Sequence, residues 1–229
     1  MLLATAGVLA LFGGAPQARA YTISIGGVVA SDGSGLTTAV GSTMVLTFDS
    51  LPPLASGHFI YGGVGFDGDG EVIVGSSSSK YSAPAGDTTN FLVAGGPSSS
   101  YIGDEDLTIF GPSSNYFGLY WGSMDRYNTL IFLNGGSPVA RISGTDVAAG
   151  GNANGDRAAL GTNNYVNIFG LSSYDTVVFS TSAPNFEVDN IAFGRVPAPD
   201  TRTVAEPGTL ALFGAGLLGL GLIRRKRRS

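Results

Sequence analysis

The sequence predicts an all-β body, an antiparallel β-sandwich of jelly-roll-like type, with a single transmembrane helix behind it at the C-terminus. Three observations predict this. Period-two alternation of apolar and polar residues recurs from residue 21 to about 196, and no helical period interrupts it. Glycine accounts for 36 of 229 residues, and Gly with Pro makes up about a fifth of the chain, which suits many tight turns between short strands and falls below the ~25–30% of low-complexity disorder. One apolar run, Leu210 to Ile223, stops at five consecutive basic residues, Arg224, Arg225, Lys226, Arg227 and Arg228.

The chain opens with "MLLATAGVLALFGGAPQARA". An apolar stretch from Leu2 to Phe12 is broken by Gly13, Gly14 and Pro16, and Ala18 and Ala20 form an A-x-A site. This reads as a signal peptide over 1–20, cut by signal peptidase before Tyr21, although no Lys or Arg precedes the apolar stretch. Residues 21–196 then form one β domain. "YTISIGG" alternates Tyr21, Ile23 and Ile25, and "STMVLTFDS" places Met44, Leu46 and Phe48 on one face. "EVIVG" and "DLTIFG" are short strands. "NYFGLYWGS" sets Phe117, Leu119 and Trp121 against Tyr116, Gly118 and Tyr120. "NTLIFLNGG" is apolar on both faces and reads as central; "YVNIFG" and "DTVVFST" follow. In "NFEVDNIAFG" the apolar parity changes between Val188 and Ile191, which predicts a bulge at Asp189–Asn190. Gly/Ser/Asn-rich stretches near 31–41, 75–90 and 144–164 read as long loops. A Pro-containing linker, 197–204, leads to the tail.

Net charge is −5, yet from Tyr21 to Thr203 only 6 basic residues stand against 16 acidic ones, a balance of −10. An acidic body argues against nucleic acid as a partner. Cysteine is absent, so disulfides and thiolate-bound metals are excluded. The tail helix, about 209–223, contains 14 apolar or Gly residues from Leu210, roughly 21 Å of helix against a ~30 Å hydrocarbon core. Local thinning and snorkelling arginines would let it span, with the basic tail 224–228 cytoplasmic and the body outside. Gly214, Gly216, Gly219 and Gly221 permit close packing against another membrane helix.

Residues 205–229, a Glu-Pro elbow, a short Gly/Leu helix and a terminal Arg cluster, resemble the PEP-CTERM sorting signal of bacterial exosortase substrates. Glu206 and Pro207 match the last two positions of the Pro-Glu-Pro motif, and Ala205 stands where the first Pro is expected. The resemblance implies export, a stay in the inner membrane, exosortase processing, and delivery to the cell surface or extracellular matrix. The body is similar to exosortase-dependent surface proteins through "APAGDTTNFL", "NYFGLYWGSMDRYNTLIFLNG" and "FEVDNIAFG". That similarity implies location rather than chemistry.

Candidate chemistry is sparse. "FDGDGEV" offers Asp67, Asp69 and Glu71 as alternate acids in a Gly-rich stretch, a pattern that points oxygens at one calcium ion, or a set of solvated turn acids. Asp104, Glu105 and Asp106 form a second acidic group. Asp189 in "VDNI" is similar to the aspartate that closes a structural calcium site in jelly-roll carbohydrate-binding modules, or it is a bulge residue. "YFGLYWGSMDRYN" concentrates Tyr116, Tyr120, Trp121 and Tyr127 beside Asp125, Arg126 and Asn128, side chains that a sugar site uses. Alternation puts Trp121 in the core and leaves Tyr116 and Tyr120 as the exposed pair, a sugar platform or cross-strand packing. His58 is the only histidine, and no G-x-S-x-G elbow or P-loop occurs; no dinucleotide fingerprint is found in the strand-then-helix setting that it needs. A non-enzymatic exported surface or matrix protein is therefore expected; a calcium-stabilised carbohydrate-binding module in contact with exopolysaccharide is the alternative.

Overall fold

The computed structural model describes residues 21–53, 58–77, 80–95, 105–183 and 185–199. The fold is built on antiparallel strand pairs that turn residues separate. In chain order the strands are β1 (Thr22–Ile25), β2 (Val28–Val29), β3 (Leu36–Thr37), β4 (Thr43–Leu46), β5 (Phe59–Tyr61), β6 (Val64–Gly68), β7 (Gly70–Val74), β8 (Asn90–Ala94), β9 (Glu105–Ser114) and β10 (Tyr116–Trp121). They continue with β11 (Asn128–Asn134), β12 (Ser137–Ser143), β13 (Asn164–Phe169), β14 (Tyr174–Thr181) and β15 (Phe186–Gly194). One four-residue helix, α1 (Gly144–Val147), and a 3₁₀ turn sit in the stretch that reads as a loop from sequence.

A seven-stranded sheet runs β1-β13-β10-β15-β8-β7, with β4 also paired to β15. A six-stranded sheet runs β12-β11-β14-β9-β6-β5. The facing sides of both sheets share one apolar core. Phe117, Leu119, Trp121, Val166, Ile168 and Val188 enter from the first sheet; Phe66, Ile109, Leu130, Phe132, Val177 and Phe179 enter from the second. Phe117 sits 5.3 Å from Phe132 and 5.4 Å from Phe193, ring edge to face, and Trp121 stacks on Phe186 at 4.6 Å. Such pairs add about 0.5–1.5 kcal/mol each beyond the area they bury. Strand β11 is interior but second from its sheet edge, not central.

The other face of the seven-stranded sheet is also covered, and here the expectation from sequence fails. Tyr116 and Tyr120 are buried, not an exposed pair. The 31–41 stretch is not a free loop: it carries β3, which pairs with β2 as a small hairpin near β10 and β13. Each buried phenol finds a partner there or nearby. Tyr116 Oη donates to Asn167 Oδ1 at 2.7 Å and lies 2.8 Å from Thr38 Oγ1. Tyr165 Oη donates to the Asn190 carbonyl at 3.0 Å, and Tyr120 Oη to that of Ala85. Gly35 has to be glycine, since its φ is +76° and a Cβ would run into the Tyr120 ring.

The bulge read from parity is present. Gly118 pairs with Ala192 but Tyr120 with Asp189, so β15 carries an extra residue there. Asn190 takes φ 49°, a left-handed conformation that Asn tolerates better than most residues. Its amide donates to the Ser34 carbonyl at 2.8 Å and the Leu36 carbonyl at 3.0 Å, fastening the small hairpin to the sheet. Among the described residues no helix is long and apolar enough to cross a membrane. The expected signal peptide 1–20, most of the linker, and the tail helix with its basic end lie outside the described residues.

Asn190→Ala removes those bonds and the left-handed preference together. A loss of about 2–3 kcal/mol is expected in denaturant unfolding of the full chain in detergent. A loss below ~0.5 kcal/mol would mean that the hairpin is not fastened there.

Candidate functional site: a polar cleft and a buried carboxylate group on one strand

Strand β15 places three polar side chains on the covered face of its sheet: Glu187, Asp189 and Asn190 are all buried. At the bulge β15 changes partner. Val188 and the residues before it pair with β8, and Ile191 and those after it pair with β4. Asp189 therefore sits at a seam between the end of β4 and the start of β8. Asp49 follows β4 by three residues, just after Phe48 turns the chain at φ 58°. Asp87 precedes β8 by three and closes a tight turn, its N–H donating to the Pro84 carbonyl at 2.9 Å with Gly86 at φ +84°.

These three aspartates are unevenly satisfied. Asp87 Oδ1 accepts from the Thr89 N–H and hydroxyl, each at 2.8 Å. Asp87 Oδ2, Asp49 Oδ1 and both oxygens of Asp189 are buried with no donor in good hydrogen-bonding geometry; the nearest groups to Asp189 are the Asn190 N–H and the Asp87 carboxyl, with which it could share a proton. Burial raises the Asp189 pKa well above the usual carboxylate range, and the negative charges of Asp87 and Asp49 push the same way. Burial also raises Asp87, against the pull of Thr89. Tyr120, beside them, is pushed up to about 12 by burial and by the Asp87 charge.

Two residues earlier on the same face, Glu187 lines a different feature. Asp125, Arg126 and Tyr127, in the turn between β10 and β11, wall a hollow of about 430 Å³ with Thr145, Asn152 and Asn154. A second hollow of about 220 Å³ shares Asp125, Tyr127 and Asn154 and adds Lys80, Arg157, Asn185 and Glu187. Together they form one polar cleft. Tyr127 Oη donates to Asp125 Oδ2 at 2.5 Å. Gly155, at φ +68°, lies so near that a Cβ would come within 2.6 Å of the Asp125 carboxylate. Glu187 accepts from the Ser82 N–H at 3.0 Å and the Ser123 hydroxyl at 2.7 Å. Burial lifts its pKa to about 7 despite those bonds, and the Asp125 charge adds to the lift. Burial raises Asp125 too, while Tyr127 and Arg126 hold it back. Amides, cations, carboxylates and one phenol ring are a lining for a hydroxyl-rich ligand.

The sequence-predicted residues are distributed otherwise than expected. Asp67 is exposed on β6 and Glu71 is buried on β7, strands of different sheets, with the exposed Asp69 at the corner between them. Among the described residues no three His, Cys, Asp or Glu side chains are gathered into a ready metal cluster. Trp121 is in the core as alternation predicts. The proposed platform is corrected: Tyr116 and Tyr120 are under the small hairpin, whereas Tyr127, Asp125 and Arg126 do line a cleft. Asn128 is buried, its amide donating to the Asn185 carbonyl at 3.1 Å. Sequence reading missed Asp49, Asp87 and Glu187. The available signal was the acidic pair Glu187 and Asp189 at alternate positions of an otherwise apolar strand.

Residues 203–228 match the family model of the PEP-CTERM protein-sorting motif. The match spans Ala205, Glu206 and Pro207 and the basic run from Arg224 to Arg228. No curated protein and no solved structure matches the chain. The motif supports an exported protein that is sorted through an exosortase toward the cell envelope or surface.

The raised Glu187 has a pH consequence. Its folded pKa lies near 7 and its ordinary value is 4.5, so the folded state holds the proton more tightly between the two. The stability this contributes is complete below about pH 4.5 and is lost as pH rises toward 7. Glu187→Gln keeps the shape and removes the titration. Melting curves across that range should decline less steeply in the variant than in the parent, and an unchanged slope would assign the decline to other groups.

Proposed function

We propose that the chain is an exported, non-enzymatic protein of the cell surface or extracellular matrix. Its C-terminal helix holds it for a time in the inner membrane, and exosortase processing then releases the body, a jelly-roll-like β-sandwich. The match of residues 203–228 to the sorting motif carries this reading. The basic run supports a cytoplasmic stop, and the Gly-rich apolar stretch supports a helix that another membrane protein can approach closely. The test is the intact mass of the protein recovered from cell surface and medium, with fragment ions from both ends. A chain starting near Tyr21 and ending close to Glu206 is expected. A chain that keeps Arg224 to Arg228 would make the helix a lasting anchor and remove delivery from the reading.

A second reading is favoured by the cleft between Asp125, Tyr127 and Asn154. Its polar lining suits a carbohydrate, which would make the body a binding module for exopolysaccharide or a neighbouring cell surface. Pull-down on a polysaccharide panel should show retention that Tyr127→Ala weakens by about tenfold, the loss of one stacking and hydrogen-bonding contact. Absence of retention across the panel would leave the cleft without this role.

A further inference from the structure

We propose that Asp189, Asp87 and Asp49 together bind a calcium ion that closes the seam between β4 and β8 on the bulge of β15. Among the described residues, the four buried carboxylate oxygens that meet no donor in good hydrogen-bonding geometry all belong to these three residues. Asp189 is 0% exposed and contributes two of them. Its neighbour shows what a satisfied side chain looks like in this place. Asn190, of almost the same shape, spends its amide on the Ser34 and Leu36 carbonyls. A seam that needed only a filler would hold Asn at 189 as well. Carboxylate oxygens that accept nothing are costly to bury, and they become favourable when a cation takes them as ligands.

Among the described residues no positive side chain does this work. The charges acting on Asp189 are those of Asp87 and Asp49, both negative. The phenols facing the group, Tyr120 from β10 and Tyr165 from β13, bring no positive charge. The donors are hard oxygens, and the chain has no Cys and a single His, exposed His58, so the set suits calcium and not zinc. Asp87 and Asp189 face each other while Asp49 stands further out, and the three are not a finished cage. Binding draws Asp49 inward and completes the shell with neutral oxygens, as calcium's six to eight flexible ligands permit. The choice of calcium over magnesium rests on the export reading, because extracellular modules meet calcium at about 10⁻⁴–10⁻³ M and hold it at matching affinity. The ion would tie the turn after β4, the turn before β8 and the bulge of β15 into one unit, in a chain that has no disulfides to do so.

The competing arrangement is a proton shared between Asp87 and Asp189, which needs no metal. Full chain in detergent, stripped with a chelator at pH 8, separates the two. Native mass spectrometry should show one calcium per chain after calcium is returned. The melting temperature should rise saturably, by about 5 °C at 10 mM calcium and by less with magnesium. Asp189→Asn should abolish both effects, while Asp67→Asn, an exposed acid on β6, should keep them. Should Asp189→Asn fail to fold, Asp49→Asn carries the same test. No bound calcium and no shift in melting, or an equal shift in Asp189→Asn, overturns the proposal and leaves the shared proton. Because the binding is measured in vitro, its failure is distinct from any failure of the export reading, which the intact mass decides.

Discussion

Strand β15 is the constraint on which the rest of this molecule depends. It is nine residues long, it pairs with β10 along one side, and it is buried on both faces for nearly its whole length. Its core face, Phe186 and Val188 before the bulge and Ile191 and Phe193 after it, meets the opposing sheet. The parity of the apolar residues changes at Asp189–Asn190, and the bulge restores them to the same side. Without that extra residue half the strand would turn its apolar side chains away from the core. The partner switch from β8 to β4 occurs at the same point, so register, twist and sheet composition are all decided within two residues.

The other face of the same strand is where polar chemistry collects. A buried face that is not apolar must supply a partner for every donor and acceptor. Most of the molecule obeys this: Tyr116, Tyr165, Asn167 and Asn190 tie the β2–β3 hairpin to the sheet through a connected set of hydrogen bonds. Glu187 obeys it through Ser82 and Ser123. Trp121 Nε1 and Asn185 Oδ1 depart from it singly, whereas the aspartate seam departs from it with four carboxylate oxygens on three residues around one bulge.

How far the sequence was legible follows from the range over which each signal acts. Alternation is local, so it correctly put Phe117, Leu119 and Trp121 in the core and located the bulge. It separates two faces of a strand but does not say whether the second is wet. Tyr116 and Tyr120 were misjudged for that reason, since their cover comes from about 80 residues earlier in a stretch whose Gly and Ser content reads as loop. Spacing arguments fail in the same way. Asp67, Asp69 and Glu71 look convergent at two-residue intervals, but a corner at Gly68 sends the chain from one sheet to the other. Asp49, Asp87 and Asp189 look unrelated, being 38 and 102 residues apart, yet topology brings them to one seam. The sorting motif was legible because an address of about 25 residues presents its residue types in linear order and does not depend on distant pairing.

Linear address and folded body therefore place different demands on the chain. The address needs an apolar run, a Glu-Pro elbow and a basic end, and tolerates Ala205 in place of a proline while still matching the motif. The body must hold together after export with no cysteine, and with a charge balance of −10 that works against compactness. A large shared core answers the first demand. The second is sharpest where carboxylates are buried, because self-repulsion there is not screened by water. A cation at the aspartate seam would turn that liability into a link between three segments of chain. It would also make the body most stable where calcium is abundant, and under the proposed delivery outside the cell the domain would be best folded at its destination.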